Sequence, residues 1–64
     1  MTKLFIAEIR KDKGLTQKEL AERLNVPQSS ISRWEQGKHL PTLEQFIEIA
    51  KALETTLDEL IGRR

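Results

Sequence analysis

Few residues in this chain are able to do chemistry, and their types limit it at once. There is one histidine, His39, and there are no cysteines. No nucleophile stands beside a base, and no acidic pair is placed around a cleft, so the components of catalysis are missing. A metal cage lacks donors for the same reason. Gly37-Lys38 is not a phosphate-binding loop, because no earlier glycine precedes it and His39 follows where Ser or Thr is needed. We expect no enzyme, no metal and no cofactor. What remains is a run of hydrogen-bonding side chains between Gln28 and Gln36, with Ser29, Ser32 and the Arg33 guanidinium inside it. Such groups read a surface rather than transform it, and the base edges of a DNA groove offer matching donors and acceptors.

These side chains need a rigid element to hold them, and the punctuation predicts five helices, over about 2–13, 17–24, 28–36, 43–53 and 57–61. Gly14, Gly37 and Gly62 each follow a periodic segment, where a left-handed residue ends a helix. Thr16-Gln17-Lys18-Glu19, Thr42-Leu43-Glu44-Gln45 and Thr56-Leu57-Asp58-Glu59 read as capping boxes. Pro27 stands where a helix can begin but not continue. Apolar positions follow the helical period, from Leu4, Phe5, Ile6 and Ile9 through Leu20, Ala21, Leu24, Ile31 and Trp34. Leu43, Phe46, Ile49, Ala50 and Leu53 continue it in the fourth helix, and Leu57, Leu60 and Ile61 in the fifth. Leu15, Val26 and Leu40, in the connections, are expected to plug gaps between helices. No segment alternates with period two, so no strand is expected.

Only Asn25, Val26 and Pro27 separate the second and third helices. So short a connection holds them at a steep angle, and Gln17, Ala21, Val26, Ile31 and Trp34 fall at helix-turn-helix spacing. With Ile31 at zero and 100° per residue, Trp34 lies at about 300° and Glu35 at about 40°, flanking the buried stripe. Ser29, Ser32, Arg33 and Gln36 fall between about 100° and 200°, on the free face. Gln28 is borderline by angle but sits at the helix start, where side chains project past the end. Trp34 is therefore core rather than a stacking platform. Ser30, Lys11, Lys13, Lys18 and Arg23 read as ordinary surface.

The 64 residues make one domain at most, and one whose core is small, since such a chain buries only about 60% of its unfolded surface. The net charge is +1, but residues 1–40 carry eight Lys/Arg against five Asp/Glu, and residues 41–64 three against five. A basic half joined to an acidic half suits one face toward an anionic partner and another toward water. The apolar start Leu4-Phe5-Ile6-Ala7 is too short for a signal peptide or a membrane span, and the lack of cysteine fits a reducing cytoplasm. The expectation is a cytoplasmic protein with no membrane partner.

From Ile6 to Ile61 the chain resembles the Xre/Cro-type helix-turn-helix family of phage repressors and bacterial regulators. The resemblance rests on Arg10, Gly14-Leu15-Thr16-Gln17, Ala21, Ile31-Ser32-Arg33-Trp34-Glu35-Gln36-Gly37-Lys38, Pro41 and Leu57-Asp58-Glu59-Leu60. Glu54-Thr55 departs from the family, which commonly has a glycine-containing turn before the last helix. The resemblance implies an all-α, compact five-helix, lambda-repressor-like domain spanning 1–64, with its helix-turn-helix unit at 17–36. It assigns Gln28, Ser29, Ser32 and Arg33 to base edges and Gln17, Gln36, Lys38 and His39 to phosphates. Gln28 would pair with adenine or clamp a phosphate together with Gln17. It also implies an ion pair between Arg10 and Glu35, tying the first helix to the third.

The function so implied is a sequence-specific regulator of transcription, in a bacterial or phage-encoded, nucleoid-associated setting. It would bind double-stranded DNA at a palindromic operator as a homodimer and act as a repressor, with Ile47, Leu57 or Ile61 at the dimer contact. The alternative is an antitoxin-like or adaptor module whose main partner is another protein.

Overall fold

The computed structural model describes residues 4–62. Five helices follow in order, α1 (Ile6–Asp12), α2 (Gln17–Leu24), α3 (Gln28–Gln36), α4 (Leu43–Ala52) and α5 (Leu57–Ile61). Among the described residues there is no strand.

The caps explain most of the boundaries. Thr16 closes a full box at α2: its Oγ1 accepts from the Glu19 amide at 3.0 Å, and its own amide donates to Glu19 Oε1 at 2.8 Å. Thr42 and Gln45 do the same at α4. The third expected box forms only by half. Thr56 Oγ1 accepts from the Glu59 amide, but the Glu59 carboxylate accepts from the Thr55 hydroxyl instead of reaching back to the cap. A second hydroxyl one residue earlier competes for it. Asn25 ends α2 in the left-handed conformation at φ 57°, and Gly37 ends α3 at φ 76°.

α1 starts four residues later than the pattern predicts. The Phe5 amide donates to the Leu60 carbonyl at 2.8 Å, which holds the chain against α5 in a non-helical conformation. Leu4 is buried there, while positions 2 and 3 of the expected helix lie outside the described residues. Gly62 completes this corner. It has a φ of 95°, and a Cβ on it would fall 2.2 Å from the Phe5 ring.

α3 packs on α2 and α1, α2 on α4, and α4 on α5. The core they enclose is built on Leu4, Ile6, Leu20, Ile31, Trp34, Ile49, Leu53 and Leu60. Each such side chain contributes about 1.5–3 kcal/mol on leaving water. Leu15 and Val26 pack against this core as expected, but Leu40 is 55% exposed and fills no gap. Leu43 is 69% exposed, so the buried stripe of α4 begins only at Phe46. In α5, Leu60 is fully buried while Leu57 and Ile61 face outward. Among the described residues no helix is long and apolar enough to cross a membrane.

Candidate nucleic-acid interface

α3 is seated by two side chains. Ile31 is fully buried and Trp34 is 2% exposed, which turns the opposite face of the helix to solvent. Gln28, Ser29, Arg33 and Gln36 are exposed on that face, and Ser32 is half-buried beside them. The Gln36 amide Nε2 donates to Ser32 Oγ at 2.8 Å, so a residue expected at phosphate and one expected at a base edge hold each other. The Ser32 hydroxyl proton stays available to donate elsewhere. Lys38 and His39 are exposed in the turn after α3.

The rotation of α3 is fixed from beneath. Arg10, on α1, is 7% exposed. Its Nε donates to Glu35 Oε2 at 2.7 Å and its Nη2 to Glu35 Oε1 at 3.2 Å, a forked pair between α1 and α3. Its Nη1 donates to the Leu15 carbonyl at 2.8 Å, which draws in the loop before α2 as well. Forked pairs of this kind fix direction as well as distance. No buried side-chain nitrogen or oxygen lacks a partner among the described residues.

The network does not stop at the pair. Gln17 Nε2, at the start of α2, donates to Glu35 Oε1 at 2.8 Å, and Gln28 Nε2 donates to Gln17 Oε1 at 3.3 Å. Arg10, Glu35, Gln17 and Gln28 thus form one chain from the core to the solvent-facing end of α3. The chain brings the first residues of α2 and α3 together. By helix geometry the Gln17 and Lys18 amides have no intrahelical acceptor, and they carry the positive end of the α2 dipole.

Four links lie beyond what the sequence pattern implies: Arg10 to Leu15, Gln17 to Glu35, Gln36 to Ser32 and Arg23 to Ala52. A guanidinium has more donors than one carboxylate can accept, so a further acceptor for Arg10 was legible in principle. The Gln17 link was not, because it depends on how α2 crosses α3. Arg23, read as plain surface, donates through Nη1 to the Ala52 carbonyl at 3.3 Å, at the negative end of α4. Glu19, inside the first capping box, has its pKa lowered from the usual 4.5, chiefly because its carboxylate accepts the Thr16 amide. The Thr16 hydroxyl and the Arg23 charge act in the same direction, against a small desolvation. Among the described residues no cluster of His, Asp or Glu is arranged to hold a metal ion.

Comparisons with known proteins place this geometry. A family model described as Helix-turn-helix matches residues 6–60. The chain is 43% identical over 57 residues to the HTH-type transcriptional activator BcrR of Enterococcus faecalis, covering 89% of this chain and 28% of that protein. It is 40% identical over 58 residues to the cryptic phage CTXphi transcriptional repressor RstR of Vibrio cholerae, covering 91% and 52%. The chain thus spans about a quarter to a half of the length of these relatives. Among solved structures, the P22 c2 repressor in complex with a synthetic operator superposes with a TM-score of 0.84 at 29% identity, over 92% of this chain and 89% of that one.

Proposed function

The chain belongs to the Xre/Cro-type helix-turn-helix family, a family of DNA-binding regulators and not of enzymes, and from that premise we propose that it binds an operator in double-stranded DNA. α3 enters the major groove with its polar face toward the bases. One observation carries this reading: the buried Ile31, Trp34 and Arg10–Glu35 pair leave Gln28, Ser29 and Arg33 exposed together on a helix that cannot rotate.

In this reading Arg33 donates to the N7 and O6 of a guanine, Gln28 reads an adenine, and Ser29 and Ser32 add weaker base contacts. Gln17, Gln36, Lys38 and His39, with the α2 amides, take the phosphates and set the register. The longest dimension of the described residues is 28 Å, shorter than the roughly 34 Å between successive major grooves on one face of DNA. One copy therefore reaches one such groove, and we propose that two copies read the two half-sites of a palindromic operator. Ile47, Leu57 and Ile61, 36–41% exposed on α4 and α5, supply apolar surface for the contact between copies. Repression is the sign we propose, because occlusion of a promoter needs only the bound domain. The setting is the nucleoid of a bacterial or phage-infected cytoplasm.

Selection of bound sites from random duplexes tests the assignment. Arg33→Ala should lose one guanine preference in each half-site, about 1–3 kcal/mol of discrimination, while keeping the preferences at other positions. An unchanged site in the variant would remove Arg33 from base reading. Affinity that does not fall with added salt would remove the phosphate contacts.

A further inference from the structure

Trp34 seats α3, but the fold does not satisfy its polar atom. The residue is 2% exposed. Its indole Nε1–H donates to no described residue, although no side-chain nitrogen or oxygen among them is both sealed from solvent and without a partner. That N–H therefore meets solvent through the small opening left to the residue. The opening that Trp34 lines is a cleft of about 110 Å³ where α2, α3 and α4 meet. A buried indole N–H ordinarily finds an acceptor in the protein, and here the acceptor comes from outside the domain.

The other walls state what accompanies that acceptor. Leu24 and Val26, both half-buried, make the cleft apolar below its rim. It is somewhat smaller than the roughly 150 Å³ cavity that takes up benzene, so it suits one small branched or cyclic hydrocarbon group. Glu44 and Glu48 line it from α4, one turn apart and exposed, and neither bonds to a described residue. No Lys or Arg lines the cleft, so its fixed charge is that of two carboxylates. Gln45 between them spends its carbonyl oxygen on the Thr42 amide and keeps its NH2 to donate. An anion is repelled here, and a plain hydrocarbon leaves both carboxylates and both donors unanswered.

We infer that this cleft is a binding site for a small organic amine. Its hydrocarbon body packs on Leu24, Val26 and the Trp34 ring, its ammonium faces Glu44 and Glu48, and a carbonyl or hydroxyl oxygen accepts from Trp34 Nε1. The site lies away from the polar face of α3 and does not depend on which bases that face reads. Its floor is nevertheless the side chain that aims the helix.

Trp34 is the one tryptophan of the chain, so its indole N–H gives a single signal in a proton–nitrogen correlation spectrum. The probe is leucinamide, which carries an ammonium, a branched hydrocarbon group and a carbonyl, titrated into the full chain at constant ionic strength. The indole signal should move downfield and saturate, as an N–H gaining an acceptor does. N-acetylleucinamide keeps the body and the oxygen but not the charge, and should bind more weakly. Glu44→Gln/Glu48→Gln should weaken leucinamide by about 1.4- to 5-fold for each carboxylate, the range of an exposed ion pair. Both positions are on the surface, so the variant keeps its fold. An indole signal that stays in place, or drifts without saturating, overturns the site. Equal binding of the acetylated probe, or undiminished affinity in the double variant, overturns the assignment to an amine.

Discussion

Arg10 brings a positive charge into the small core, and what surrounds it shows why that is tolerated. Three of its nitrogens donate, two to Glu35 and one to the Leu15 carbonyl, so the charge is both paired and hydrogen-bonded. Removing one member leaves the other buried without its partner, at a cost of about 3–5 kcal/mol. A domain of this size has roughly 3–10 kcal/mol to lose. Arg10→Met alone should therefore leave the protein largely unfolded in a denaturant titration at room temperature. The double variant Arg10→Met/Glu35→Leu should recover most of the loss, since an apolar pair of similar volume needs no compensation. A double variant no more stable than the single one would mean that the pair contributes through direct attraction.

At the scale of elements, the helix ends carry the distinctions. The lowered pKa of Glu19 means that its ionised form is favoured in the folded chain. Its contribution is present above the usual value of 4.5 and is lost as pH falls through the lowered one. Thermal melts from about pH 6 down to about pH 3 should show an acid-induced loss that is smaller in Glu19→Gln, which has no charge to lose. Equal losses in the two proteins would assign the acid limb to other carboxylates. The turn after α4 makes the opposite point about departures from the family pattern. Glu54 takes the glycine role, at φ 53°, while the Thr55 amide donates to the Ala50 carbonyl at 2.9 Å. The turn geometry is kept and a side chain bears the strain. Relief of a left-handed conformation, set against the greater chain entropy of glycine, gives Glu54→Gly a net gain of about 0.5–1 kcal/mol. Chemical denaturation measures it, and a loss of stability would show that the Glu54 side chain makes a compensating contact.

The whole molecule separates two faces. The readout face is polar and is aimed by buried groups, whereas α4 and α5 leave Leu43, Ile47, Leu57 and Ile61 partly in water. Exposed apolar side chains on successive helices are what a second copy would cover, and the proposed palindrome requires one. Ile47→Lys, at a surface position, should change folding stability by no more than about 0.5 kcal/mol. It should nevertheless reduce the stoichiometry on a palindromic duplex from two copies to one, as measured by sedimentation. Two copies bound by the variant would move the contact elsewhere. A wild-type protein that binds singly would give the apolar face to another partner, as the adaptor reading expects.

Five helices, the short turn between α2 and α3 and the polar face of α3 are all legible in the residue pattern. Each of these depends on local quantities: glycine and threonine at helix ends, proline after the turn, and apolar spacing along one helix. Ile31 and Trp34 therefore predicted correctly which side of α3 is free. Local quantities failed where a distant group competed. The Leu60 carbonyl captures the Phe5 amide and delays α1, the Thr55 hydroxyl diverts Glu59 from its box, and Leu40 and Leu43 find no neighbour to cover them. The resemblance supplied the Arg10–Glu35 pair, but its continuation through Gln17 to Gln28 is a property of the crossing between α2 and α3 alone. Side chains 11 and 18 positions apart in sequence meet there only once α2 and α3 are packed against each other.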